Sequence, residues 1–146
     1  MKIFEYAKKL EKDSELFYRD LAERSFEIGV AVILARLADE EVRHFNTIEA
    51  MERGEPPSLA DSDVLPDARN VIDLVLEKDG LLREDLPEAE VFTLALDIEL
   101  KSSDFYEDCA KKTQNDTHRE MFSRLARQEH EHYMTVELMS DLMRGS

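Results

Sequence analysis

Glu41-Val42-Arg43-His44 and Glu129-His130-Glu131-His132 stand 88 positions apart, and the same offset carries Glu11 onto Glu99 and Tyr18 onto Tyr106. The repeat extends beyond these residues. Leu10-Glu11-Lys12-Asp13-Ser14-Glu15-Leu16-Phe17-Tyr18 matches Ile98-Glu99-Leu100-Lys101-Ser102-Ser103-Asp104-Phe105-Tyr106 at Glu, Ser, Phe and Tyr. Arg36-Leu37-Ala38 and Thr47 recur as Arg124-Leu125-Ala126 and Thr135. No gap is needed between the blocks, so the connection inside each copy has the same length. That favours two similar helical hairpins packed into one bundle.

Apolar residues at helical spacing cover about 2–24 and, after a short turn from Ser25 to about Gly29, about 30–53, where Gly54-Glu55-Pro56-Pro57 stops them. Two further helices are expected over about 88–113 and 117–143. Asp85-Leu86-Pro87-Glu88 looks like the start of the first, and Thr117-His118-Arg119-Glu120 has the form of a capping box opening the second. Between the pairs, about 54–87 is the one region rich in helix breakers. Pro66-Asp67 followed by Val71, Ile72, Val75 and Leu76 predicts a short helix there, ending near Gly80. Such a segment is too long for a hairpin loop and suits a crossover that lets the second pair run in the opposite sense. The expectation is an all-α protein: an antiparallel four-helix bundle, formed by two repeated hairpins in a single domain over 1–146.

The carboxylates fall on the inward faces. Leu34, Leu37, Glu41, His44, Ile48 and Met51 form a stripe that is apolar except at its centre, repeated as Phe122, Leu125, Glu129, His132, Val136 and Met139. The other helices give Phe4, Ala7, Glu11, Ser14, Tyr18, Leu21 and Phe92, Ala95, Glu99, Ser102, Tyr106, Cys109. Glu11 and Glu41 each lie about 14 residues, roughly 21 Å of helix, from the turn between them, so they end up level. Glu99 and Glu129 do the same about Gln114-Asn115.

Four ionised glutamates in one interior would cost at least several kcal/mol per uncompensated charge. Two divalent ions neutralise them, and a His three positions after a Glu faces the same way and adds a ligand to each ion. The candidate metal ligands are therefore Glu11, Glu41, His44, Glu99, Glu129 and His132. Mixed carboxylate and imidazole ligation suits iron or manganese, with zinc a possible substitute. With 20 Glu among 146 residues, a Glu three positions before a given His arises by chance about one time in seven, so one such pair would mean little. Two pairs joined to two Glu-x6-Tyr pairs by one offset mean more. Glu40 competes with Glu41 as a ligand, but its repeat partner is Gln128, which favours Glu41. Tyr18 and Tyr106, on the ligand faces, either pack as plain core residues or hydrogen-bond to a ligand carboxylate, the second reading being preferred. His118 and His130 fall off the stripes and read as solvated, and Cys109 reads as a small core residue.

Composition narrows the function. A formal charge of −15 argues against nucleic acid and anionic membranes as partners. The single cysteine excludes an internal disulfide and any Cys-x-x-Cys centre. Met1 to Leu21 is charged and amphipathic, without the apolar run of a signal peptide or membrane span, so a cytoplasmic location is expected.

The combined motifs resemble the ferritin-like superfamily and, within it, the di-iron domain of rubrerythrins, over nearly the whole chain. The resemblance implies two iron ions on Glu11, Glu41, His44, Glu99, Glu129 and His132, with Tyr18 and Tyr106 beside them. It also implies a di-iron oxidoreductase that reduces hydrogen peroxide or oxygen. Two departures stand out. Rubrerythrins carry an additional Glu one turn after the third-helix Glu, where this chain has Ser102, and a rubredoxin domain with two Cys-x-x-Cys pairs, which this sequence lacks. Electrons are then expected from an external donor such as a rubredoxin. The alternative is a ferritin or bacterioferritin type of ferroxidase that handles or stores iron. Against it, Val42 stands where bacterioferritins place a haem-binding Met, and no room is left for a fifth helix after Arg144. A structural or adaptor bundle with a vestigial site is a third class. Ferritin-like domains commonly pair, so a homodimer is expected. The apolar Ile28, Val32 and Leu59 would serve a partner surface or pack on the crossover.

Overall fold

The computed structural model describes residues 2–77 and 85–143. Among them are α1 (Lys2–Arg24), α2 (Ile28–Glu52), α3 (Val64–Glu77), α4 (Ala89–Lys112) and α5 (Asp116–Met143), with no strand. The repeat reappears in the backbone. Each hairpin is closed by three residues, 25–27 in the first and 113–115 in the second, so α1 and α4 end, and α2 and α5 begin, 88 positions apart. The end of the crossover helix expected near Gly80 lies outside the described residues.

Local sequence sets the helix ends. Glu27 caps α2, its carboxylate accepting the Gly29 N–H at 3.0 Å. At the other end Gly54 takes φ 71, which a side chain would disfavour. Its N–H donates to Met51 O and that of Glu55 to Ala50 O, so two orphan carbonyls of the last turn are satisfied. The second hairpin corrects the sequence reading. Thr117 lies inside α5, and the cap is Asn115, whose Oδ1 accepts the His118 N–H at 2.9 Å. With only three residues in the turn, Asn115 is the residue that keeps a non-helical backbone while its side chain reaches the free donors.

Every residue of the α2, α4 and α5 stripes is buried, and so are the α1 residues from Ala7 to Leu21, while Phe4 is half-buried. These stripes build two apolar clusters. One gathers Tyr18, Leu21, Leu34, Phe92, Val136 and Met139; the other gathers Ala7, Ile48, Met51, Tyr106, Phe122 and Leu125. Because the early part of α2 meets the late part of α5, and the late part of α1 the early part of α4, the two hairpins are inverted relative to each other. The crossover must therefore travel from the end of the bundle holding Met51 to the end holding Phe92. It does so along α2 and α5, against which α3 packs. Of the three apolar residues left between a partner surface and packing on the crossover, Leu59 is buried in the second cluster, whereas Ile28 and Val32 are exposed. The reason is that residues 58–62 are fastened down: the Ser58 carbonyl accepts from Thr47 Oγ1 at 2.7 Å and the Leu59 carbonyl from Arg124.

Candidate metal centre

Between the two apolar clusters lies one polar layer, built from the centres of the four stripes. Glu11, Glu41, His44, Glu99, Glu129 and His132 are each 0–1 % exposed, so the structure brings all six sequence candidates into one buried layer. Glu41, His44, Glu129 and His132 have ligand atoms within 4.8 Å of one another. The two imidazoles lie parallel, with ring centroids 5.5 Å apart and planes 8° off parallel.

Distances divide the carboxylates into two kinds. His44 Nδ1 lies 3.1 Å from Glu129, 3.3 Å from Glu11 and 3.4 Å from Glu41. His132 Nδ1 lies 3.1 Å from Glu41, 3.4 Å from Glu129 and 3.7 Å from Glu99. Glu41 and Glu129 thus face both imidazoles, while Glu11 belongs to His44 and Glu99 to His132. The two halves are related by the same near-twofold relation as the hairpins: a shared Glu stands 3.1 Å from the imidazole of the other repeat and 3.4 Å from its own.

The tyrosines cross between repeats. Tyr18 donates its O–H to Glu99 at 2.6 Å and Tyr106 donates to Glu11 at 2.8 Å. In the sequence each phenol shares a face with the Glu of its own helix. The partner is instead the Glu of the facing antiparallel helix, because two turns along one helix is too far for a phenol to reach. Each imidazole is also held from behind: His44 Nε2 meets Gln128 Oε1 at 2.8 Å and His132 Nε2 meets Glu40 Oε1 at 2.8 Å. Both acceptors lack a proton to give, so each Nε2 is the donor and each Nδ1 is turned into the cluster. Glu40 and Gln128 are therefore the functional residues that sequence reasoning missed. Their signal was present, a polar pair at the repeat offset immediately before Glu41 and Glu129, but it was used only to discard Glu40 as a ligand.

Eight polar atoms of the cluster have no hydrogen-bond partner: Glu11 Oε2, both oxygens of Glu41 and Glu129, Glu99 Oε2, and Nδ1 of His44 and His132. Buried polar atoms are rarely left so. The electrostatics agree that a positive charge is wanted. Burial, reinforced by Glu129, pushes Glu11 up to about 7. Burial and the neighbouring carboxylates Glu11, Glu129 and Glu99 raise Glu41 well above the carboxylate range, and burial with Glu129 raises Glu99. For Glu129 burial acts in the same sense, but the imidazoles of His132 and His44, 3.4 and 3.1 Å away, outweigh it and hold the carboxyl well below its usual range. Burial opposes charging the imidazoles, yet the surrounding carboxylates raise both His44 and His132 well above 6.5. Without metal, protons do what a cation would do. The donor set, six carboxylate oxygens and two imidazole nitrogens grouped about His44 and His132 with Glu41 and Glu129 facing both, fits two ions of the iron, manganese or zinc type.

Other candidates stay outside. His130 is exposed and stacks on Tyr133, and His118 sits half-buried against Phe4. Cys109 is buried in the core, and burial pushes its thiol up to about 11, far from a reactive thiolate. Ser102, at the place noted in the sequence, is 1 % exposed and its hydroxyl has no partner. No described helix is long and apolar enough to cross a membrane.

A sequence model of one protein family, described as Rubrerythrin, matches residues 2–140. No curated protein and no solved structure gives a significant match.

Proposed function

The chain belongs to the rubrerythrin family, and from this premise we propose that its buried cluster holds two iron ions and reduces hydrogen peroxide, or oxygen, with electrons from an external donor protein such as a rubredoxin. Glu11 and His44 would hold one ion, Glu99 and His132 the other, with Glu41 and Glu129 between them. The observation that carries the reading is the set of eight orphaned donor atoms aimed at one another across two near-equivalent halves. A ferrous pair, when bound, supplies the two electrons that, with two protons, convert one hydrogen peroxide to two waters. The protein's part is positional. Tyr18 and Tyr106 keep Glu99 and Glu11 oriented, Gln128 and Glu40 keep both Nδ1 atoms turned inward, and burial limits the oxidant to a molecule as small as peroxide or dioxygen. A cytoplasmic homodimer completes the proposal, with the exposed Phe26, Ile28 and Val32 as its apolar surface.

Rapid mixing of the ferrous protein with peroxide and with oxygen tests this. Fast peroxide-driven oxidation followed by re-reduction from a rubredoxin-type donor is expected; absence of either step sinks the reading. A second reading, ferroxidase activity in iron handling or storage, is favoured by Ser102, which adds no fifth carboxylate to the four of the cluster. A large hollow assembly in solution would support it, and a dimer would argue against it.

A further inference from the structure

The six candidate ligands obey the near-twofold relation of the fold, but the groups that hold the two imidazoles do not. Behind His44 stands an amide, Gln128; behind His132 stands a carboxylate, Glu40, at the same 2.8 Å. The crossover enforces this difference. Gln128 Nε2 donates to the Ala60 carbonyl at 2.7 Å, a contact that requires an amide, since a carboxylate there would face a carbonyl oxygen. Two residues on, Ser62 Oγ donates to Glu40 Oε1 at 2.7 Å, a contact that suits a carboxylate. One stretch of the crossover thus presents an acceptor to one repeat and a donor to the other.

We propose that Glu40 and Gln128 make the two halves of the metal centre unequal, so that the half built on Glu99 and His132 takes up the first divalent ion and the half built on Glu11 and His44 the second. This rests on the reading of the cluster as a two-metal site. The physical reason is local. A carboxylate accepting from Nε2–H draws that proton toward itself and makes Nδ1 a stronger donor to a cation, and it adds a negative charge near the ion; a neutral amide does the first weakly and the second not at all. Glu40 and Gln128 are positioning residues, since neither faces the cluster's centre. Residues of this kind commonly change metal affinity about 10–100-fold.

The test is a titration of the full-length, chelator-treated protein with Co(II), followed by its visible absorption and by calorimetry. Two resolved steps are expected for the unaltered protein. Glu40→Gln, which keeps size and an acceptor oxygen, should weaken the first step about 10–100-fold and merge the two. Ser62→Ala, which leaves the carboxylate in place but removes its anchor, should keep the two steps apart. His132→Ala should abolish the tight step, and His44→Ala the weak one. Helix content by circular dichroism checks that each variant folds. Two equal steps in the unaltered protein, an unchanged first step in Glu40→Gln, or merging by Ser62→Ala as complete as by Glu40→Gln would overturn the proposal. Failure to bind two ions at all would instead overturn the metal-centre reading beneath it, and neither result depends on which oxidant the protein reduces.

Discussion

Raising the pH should weaken the metal-free protein and strengthen the metal-loaded one, so that their stability profiles cross. Glu11 ionises near 4.5 when unfolded and at about 7 in the folded, metal-free cluster. Below about 4.5 it is protonated in both states; above 7 it is ionised in both, and the folded state then carries the full burial penalty. At about 1.4 kcal/mol per pH unit, Glu11 alone withdraws about 3 kcal/mol as the pH rises through this window. Glu41 and Glu99 are raised as well and act with the same sign. So do His44 and His132, whose raised values add stability that is complete below 6.5 and is lost as the pH climbs through their folded values. Glu129 runs the other way, but its contribution is lost only as the pH falls through its depressed value, below the window. Against a domain stability of about 5–15 kcal/mol, a loss of this size is large. Bound divalent ions reverse the slope, because they require ionised carboxylates and neutral imidazoles and must displace the protons. Urea unfolding of chelated and metal-loaded protein at pH 5.5, 6.5, 7.5 and 8.5 checks this, staying above the isoelectric point of about 4.6. Glu11→Gln should flatten the metal-free profile by its share. A metal-free protein that gains stability from pH 5.5 to 8.5, or parallel profiles with and without metal, would refute the reasoning.

Three further outcomes follow from particular contacts. Tyr18→Phe and Tyr106→Phe each remove the donor to a ligand carboxylate, bonds of 2.6 and 2.8 Å. Each variant is expected to lower metal affinity about 10–100-fold in equilibrium dialysis, with little change in helix content. Gly29→Ala would set a Cβ 2.6 Å from Val71 Cγ1, so the Val71 side chain or the contact between α2 and α3 must shift. A loss of about 1–3 kcal/mol in urea unfolding is expected, and an unchanged midpoint would show that the contact relaxes freely. Asn115→Ala removes the α5 cap and should cost about 1 kcal/mol, with faster amide exchange at His118, whose N–H the side chain accepts.

The helical stripes were readable because burial on a helix imposes a period near 3.6, and the chain has only four Gly and four Pro to interrupt it. For the same reason the inward direction of the six candidate ligands followed from the apolar residues of their own stripes: Ala7 and Leu21 in α1, Leu37 and Ile48 in α2, Phe92 and Ala95 in α4, Leu125 and Val136 in α5. The α5 cap was misplaced because Thr117-x-x-Glu120 and Asn115 both offer capping chemistry, and only the three-residue turn chooses between them. Leu59 stayed open between a partner surface and the crossover because a segment between prolines carries no periodicity. Its burial depends on the carbonyl bonds from Thr47 and Arg124, which come from other helices.

Sequence alone determined the helices, their inward faces and the level at which the carboxylates meet, because periodicity, helix rise and a constant offset are properties of one helix or of two identical hairpins. Tertiary structure decided the pairing between repeats: Tyr18 with Glu99, Tyr106 with Glu11, Gln128 with His44 and Glu40 with His132. Those contacts depend on the two hairpins being inverted against each other and on a crossover that passes over α2 and α5 at residues 58–62. Neither is a local property, so no pattern within a hairpin could fix it. The one break in the repeat's symmetry, an amide against a carboxylate, acquired its meaning only when the fold placed each behind the imidazole of the other half.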